Sequence, residues 1–217
     1  MIFALVLEDE TMLTMHHHDV DRFGEWAPTY EQHWMQRRIM GPVQETVLEL
    51  ASAQVPQPAS ILDIGCGTGR LLRAAAARFP GARLDGVDAA EGMVKQAEAS
   101  LPPGLQIRFQ QATAESLPFS DAAFDLVFST MTFHHWSDQQ KAVGEVKRVL
   151  APGGRWLLAD MVADGPMVLV VKLLRIGRVV SPSGLDRMLR PEGLGVTARK
   201  KVPGTGGYIP VLAIGAL

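Results

Sequence analysis

From residue 60 onward, short apolar runs alternate with stretches in which apolar positions recur every three or four residues. That switch in period separates strands from amphipathic helices. Residues 60–64, 83–87, 106–110, 124–129 and 155–160 predict strands. Residues 68–79, 91–100 and 138–150 predict the helices between them. Such alternation makes βαβ units, hence a parallel, doubly wound sheet covered by helices on both faces. Right-handed crossovers then gather the carboxyl ends of the strands on one edge, where ligands bind at the switch in strand order. The punctuation agrees: Pro80-Gly81 and Pro102-Pro103-Gly104 end helices, and Pro152-Gly153-Gly154 turns into the strand at Arg155. Two late runs, 195–201 and 208–216, flank a Pro203-Gly204-Thr205-Gly206-Gly207 turn and predict an antiparallel hairpin closing the sheet.

Two segments lie outside the alternation. Trp26, Tyr30, Trp34, Ile39, Val43, Val47 and Leu50 recur at helical spacing and predict a helical lid over residues 20–54. Residues 165–193 predict a helical cap: a nearly all-apolar helix at 166–180 with a basic stripe of Lys172, Arg175 and Arg178, then a shorter helix capped by Ser183. Residues 1–15 show no pattern, and disorder is expected as far as residue 19. The remaining organisation is a core at 60–160 and a closing hairpin at 194–217, all within one domain of 217 residues.

Composition changes this picture little, and charge somewhat more. The single cysteine, Cys66, excludes an intrachain disulfide and fits a reducing compartment. The apolar start, residues 1–7, is followed at once by Glu8, Asp9 and Glu10, which argues against a signal peptide. No run has the length of a membrane span, so a cytoplasmic protein without integral membrane association is expected. Residues 1–164 hold 13 basic and 21 acidic side chains, whereas residues 165–217 hold 8 and 2. The basic end reads as a solvated face; the one membrane association it leaves open is a weak peripheral contact with anionic lipid. Aromatic residues do not interleave with the basic ones, so no nucleic-acid partner is expected.

The chemistry starts at Gly65, Gly67 and Gly69, which follow an apolar run containing Asp63. Alone, a triple-glycine turn is a tight strand-to-helix connection. The spacing G-x-G-x-G places Arg70 where the dinucleotide fingerprint has its third glycine. An acid at the strand end also repels a diphosphate and suits a cationic ligand bearing an amino group. Asp88 closes the next strand nineteen residues after Gly69, where a carboxylate accepts from both ribose hydroxyls. Asp85, one alternation off, reads as a surface residue. An NAD oxidoreductase fits poorly, because Tyr30 and Tyr208, the two tyrosines, lie far from any Tyr-x-x-x-Lys pair.

With these motifs in order, the chain resembles the class I S-adenosylmethionine-dependent methyltransferases. It is similar to their small-molecule branch, which includes the C-methyltransferases of ubiquinone and menaquinone biosynthesis. The resemblance rests on residues 62–69, Gly86-Val87-Asp88, residues 114–119, Phe124-Asp125-Leu126-Val127 and residues 150–154. It implies a Rossmann-like α/β fold with a seven-stranded sheet, mostly parallel, and S-adenosyl-L-methionine as cofactor. It implies an enzyme that transfers a methyl group in line to a small, apolar or aromatic acceptor. A non-catalytic S-adenosylmethionine-binding sensor or scaffold is the alternative.

Carried over position by position, the resemblance has Asp63 anchor the cofactor's amino group while the backbone around Gly65, Cys66 and Gly67 packs against it. Asp88 holds the ribose, and Ala89 and Met93 flank the adenine. Thr113, Ala114 and Glu115 occupy the third motif, with Thr113 replacing the usual aspartate that accepts from the adenine amine. Ser129, with Thr130, ends the fourth strand next to the methyl group, and Tyr30 belongs to the helix that closes over the cofactor. Cys66 by itself reads as a small residue in a tight turn. In Phe133-His134-His135-Trp136, His134 is the candidate substrate contact or general base, since imidazole titrates near neutral pH; His135 reads as packing. The run His16-His17-His18 reads as a solvated terminus, and no metal site is expected.

Overall fold

A computed structural model describes residues 36–162, 179–205 and 209–217 of the chain. The inner strand β1 (Ser60–Ile64) is buried from Ile61 onward. It pairs in parallel with β2 (Arg83–Asp88) on one side and β4 (Phe124–Thr130) on the other. Further parallel strands are β3 (Arg108–Gln111) beyond β2, and β5 (Leu150–Ala159) beyond β4. The strand β7 (Pro210–Ala216) runs antiparallel to both β5 and the edge strand β6 (Leu194–Lys201). The seven strands lie in the order β3-β2-β1-β4-β5-β7-β6. Strand order therefore reverses between β1 and β4, which opens the crevice where doubly wound sheets bind ligands.

Strand alternation sorts the core into two layers. On one face Ile61, Leu126, Phe128, Leu157 and Ala159 meet α1 (Gly41–Gln54) and α2 (Arg70–Arg78) through Val43, Val47 and Leu72. Val94 of α3 (Glu91–Ala99) joins this layer. On the other face Leu62, Ile64, Val127, Trp156 and Leu158 meet α4 (Gln139–Val149) and α5 (Pro182–Leu189) through Val143, Val146 and Leu185. Those side chains are almost wholly buried. Burying each large aliphatic side chain contributes roughly 1.5–3 kcal/mol, so both layers hold the sheet edge rigidly.

Several motif residues turn out to hold the scaffold. The Asp125 carboxylate accepts from the Ala59 and Ser60 amides at 2.7 and 3.1 Å, tying the start of β1 to β4. Arg148 on α4 donates to the carbonyls of Leu117 and Phe119 at 3.0 and 2.6 Å, fixing the turn that follows β3. At Gly154 a Cβ would stand 2.9 Å from the Ala151 carbonyl oxygen, so the Pro-Gly-Gly bulge closes only on glycine.

Four readings need correction. Residues 150–154 belong to β5: Phe124 pairs with Leu150 and Leu126 with Arg155, so the Pro-Gly-Gly segment is a bulge inside one strand. The short helix is capped by Ser181, whose hydroxyl accepts from the Gly184 amide at 3.1 Å, and not by Ser183. The third strand starts at Arg108. Asp85 is 2% exposed, ion-paired with Arg83 at 3.0 Å and Arg108 at 2.8 Å.

Of the segment expected to form a helical lid, residues 20–54, the described part is a wide helical turn, Gln36–Met40, and α1, which packs on the sheet through Val43 and Val47. Tyr30, Trp26, Trp34, the three histidines, residues 166–178 of the helix expected at 166–180 and Tyr208 lie outside the described residues. Val180, at the end of that expected helix, instead makes an isolated parallel bridge with Val162. Among the described residues no helix is long and apolar enough to cross a membrane.

Candidate functional site

The carboxyl ends of β1 and β4 open into a shallow cleft whose empty space, with the adjoining open solvent counted in, is about 370 Å³. Its walls are Asp63, Thr130, residues 65–68, the first residues of α2 (Arg70 and Leu71), and Met40 with Gln44 from the α1 side. Strand phase explains the two polar side chains. Asp63 continues the face of Ile61, and Thr130 that of Phe128, so both point to the α1 side.

The glycine loop shapes the cleft by close approach. Gly65, Gly67 and Gly69 all have positive φ, at 73°, 53° and 77°. A Cβ on Gly65 would fall inside the Thr132 side chain, while one on Gly67 would meet nothing and project into open space. Gly65 therefore packs the loop against the β4 turn, and Gly67 leaves a bare cradle above the backbone. The Gly65 and Cys66 amides both donate to the Val87 carbonyl, at 2.8 and 3.0 Å, which binds the loop to the tip of β2. Burial pushes the Cys66 thiol well up, so it stays protonated and acts as the small turn residue its spacing implied.

Asp88 ends β2 beside this loop. One carboxylate oxygen accepts from the Gly67 amide at 2.8 Å and the other from the Ala90 amide at 2.9 Å. Burial raises its pKa, with the amides of Ala90, Gly67 and Ala89 opposing the shift. The carboxylate still has acceptor capacity for a further donor. The turn after β3 is held at the same place, since the Ala112 amide donates to the Asp88 carbonyl at 3.0 Å. Ala89, Met93, Thr113 and Ala114 thus gather around the β2 tip, Met93 and Ala114 buried and Thr113 exposed.

Asp63 is the anomaly. It is 2% exposed, and among the described residues its Oδ1 has no hydrogen-bond partner. Burial first, then the charge on Asp88, raises its pKa to about 8. The Thr130 hydroxyl in the same cleft is also buried without a partner among the described residues. An orphaned buried carboxyl costs on the order of 1–3 kcal/mol or more, a cost that a fold keeps where a ligand completes the bond. A ligand carrying an ammonium group supplies the missing donor and charge.

Two residues expected at the cofactor are engaged elsewhere. The Ser129 hydroxyl accepts from the Trp156 indole N–H at 3.1 Å in the opposite core layer, so Thr130 and not Ser129 faces the cleft. The Glu115 carboxylate accepts from the Asp138 amide at 3.0 Å and ties its turn to the start of α4. Sequence reasoning passed over Gln44, Arg70 and Leu71 as lining residues. Arg70 follows the third glycine directly, a position that could have been read as facing the cleft.

His134 and His135 form a tight turn between β4 and α4, with ring centroids 4.0 Å apart. His134 is 5% exposed, and its Nδ1 lies 2.7 Å from Asp160 Oδ1. Burial, then the neighbouring His134 ring, lowers the His135 pKa to about 3, so that ring is neutral at any working pH.

Comparison with known proteins agrees with this geometry. Residues 62–158 match the family described as "Methyltransferase domain". The chain is 44% identical over 147 residues to the demethylmenaquinone methyltransferase of Thermus thermophilus, covering 64% of this chain and 63% of that one. It is 40% identical over 131 residues to a malonyl-[acyl-carrier protein] O-methyltransferase of Geobacter sulfurreducens, covering 60% and 47%. The solved structure of the YcgJ protein from Bacillus subtilis shares the fold with a TM-score of 0.65 at 27% identity, covering 78% of this chain and 97% of that one. The chain spans 47% and 63% of the length of these two curated relatives. Residues 62–158 are thus similar to a methyltransferase domain, and the solved structure shares the fold around them. The two curated relatives are named as methyltransferases.

Proposed function

We propose that this chain is a methyltransferase that uses S-adenosyl-L-methionine to methylate a small molecule. The observation that carries the reading is the buried, unpartnered Asp63 oxygen at the base of a cleft walled by the bare glycine loop. Asp63 and the Thr130 hydroxyl would hold the cofactor's ammonium group, the backbone of Gly65, Cys66 and Gly67 would lie against it, and Asp88 would hold the ribose. Ala89, Met93, Thr113 and Ala114 would flank the adenine, and Tyr30 belongs to this reading as part of the closing lid. Bound there, the cofactor supplies an electrophilic methyl group on a sulfonium. The protein's share is to bind, align and exclude water, because proximity and orientation carry much of such a reaction. His134 serves the acceptor side.

Calorimetry with S-adenosylmethionine tests the binding, and labelled methyl transfer tests the activity. Micromolar binding that Asp88→Ala weakens more than tenfold is expected. No binding, or equal binding by that variant, defeats the proposal. Two lesser readings go with it. The single cysteine supports a cytoplasmic place, which cell fractionation checks. Exposed Arg199, Lys200 and Lys201 on the edge strand support weak contact with anionic lipid, which vesicle flotation checks.

A further inference from the structure

Among the described residues, the buried polar side-chain atoms without a partner are Asp63 Oδ1, Thr130 Oγ1, Asp160 Oδ2 and Arg155 Nε. The first three stand at the carboxyl ends of β1, β4 and β5, which are adjacent strands. The proposed cofactor site accounts for Asp63 and Thr130. Asp160 is left over: it is 1% exposed, and nothing in the cofactor reading uses it.

Asp160 follows β5 directly, one residue past the Thr130–Ala159 pair. Its Oδ1 accepts from the Met161 amide at 2.7 Å and faces His134 Nδ1 at the same distance. An oxygen already accepting an amide proton is an acceptor toward the ring too, so Nδ1 carries the proton and Nε2 keeps its lone pair. The His135 ring packed on His134 stays neutral and supplies no competing positive charge. Asp160 is in phase with Trp156 and Leu158, the face opposite to that of Asp63 and Thr130. An in-line displacement brings the nucleophile to the carbon from the side away from the sulfur, and Asp160 stands at the same sheet edge as Asp63 on the opposite face.

We propose that His134 and Asp160 form the proton-accepting unit for the methyl acceptor, with Asp160 as the residue that positions His134. The acceptor is then a neutral molecule whose nucleophile loses a proton, such as a phenol, hydroquinone or enol, and not a carboxylate. The inference rests on the methyltransferase reading. As the acceptor's electron pair forms the bond to the methyl carbon, the carbon–sulfur bond breaks and its pair stays on sulfur. The acceptor's proton passes to Nε2, and the Asp160 carboxylate stabilises the resulting imidazolium. An anionic acceptor gains nothing from such a base and is repelled by the buried carboxylate with its open Oδ2.

Two measurements test this. The first needs no acceptor: nitrogen NMR of the free protein, with His134→Gln assigning the signal. The expected neutral ring has Nδ1 protonated and Nε2 bare, and Asp160→Asn loses that preference while Asp160→Glu restores it. The opposite tautomer, or a ring doubly protonated from pH 5 to 9, overturns the proposal. The second supplies labelled S-adenosylmethionine with phenols, naphthoquinols, carboxylic acids and the small-molecule fraction of a bacterial lysate. Alkali-stable label is expected, with turnover reduced about 10²–10⁴-fold in His134→Gln and Asp160→Asn and cofactor affinity unchanged. Label released by alkali as methanol marks a carboxylate acceptor and overturns the proposal, as does wild-type turnover in Asp160→Asn. Absence of any transfer defeats the methyltransferase reading itself, which calorimetry of cofactor binding separates from a failure of this unit alone.

Discussion

Binding of S-adenosylmethionine at pH 7 is expected to expel a proton from Asp63. In the free protein, burial and the charge on Asp88 raise that carboxyl to about 8, so it holds about 0.9 proton at pH 7. An ammonium group docked on the partnerless Oδ1 favours the ionised form and drives the proton off. An α-ammonium with a pKa near 7.7–8.0 is already mostly charged and takes up only about 0.1–0.2 proton. The net release is therefore about 0.7–0.8 proton per cofactor bound. Calorimetric titrations in buffers of different ionisation enthalpy read this number as the slope of observed against buffer enthalpy. Asp63→Asn abolishes the release and weakens binding. A zero slope in the wild type, or an unchanged slope in the variant, refutes the assignment of Asp63 to the ammonium group.

The same carboxyl makes the free protein less stable as pH rises. Its folded pKa lies above the unfolded value, so its favourable contribution is complete below about pH 4 and is lost as pH climbs to about 8. The slope reaches up to about 1.4 kcal/mol per pH unit, visible in denaturant midpoints, and Asp63→Asn flattens it. Gly65→Ala meets both a φ of 73° and the Thr132 side chain, so a loss of about 1–3 kcal/mol with weakened cofactor binding is expected in melting and calorimetry. Ser129→Ala strands the buried Trp156 indole N–H and costs about 1–3 kcal/mol, while cofactor affinity stays within about twofold. A larger drop in affinity would return Ser129 to the cofactor site.

Much of the site was legible because its spacing is local. Asp63, the three glycines and Asp88 belong to one strand–turn–helix–strand unit, and a turn of that kind admits few geometries. Ser129 shows where local reading failed. Adjacent strand residues point to opposite faces, so only one of Ser129 and Thr130 could reach the cleft. The choice depended on which face carries α1, and that is settled by packing between Val43, Val47 and Phe128. Asp85 failed similarly. Its position three residues before Asp88, on the other face of the strand, reads as solvent-facing, yet Arg83 and Arg108 reach it from β2 and β3 and satisfy it in a buried place. The start of β5 was misread because Pro152-Gly153-Gly154 signals a turn locally, whereas the strand continues through it by pairing Leu150 with Phe124.

Hydrophobic period and turn residues by themselves determined the alternating architecture, the closing hairpin and the glycine loop between two acidic strand ends. Those features follow from contacts within about thirty residues, where backbone geometry leaves little choice. Only the tertiary structure decided which polar groups are left without partners. Asp63, Thr130 and Asp160 come from strands far apart in sequence and become neighbours through the sheet order. Whether a buried polar atom finds a donor depends on everything packed around it. The pairing of His134 with Asp160, 26 residues away, is likewise a product of the fold.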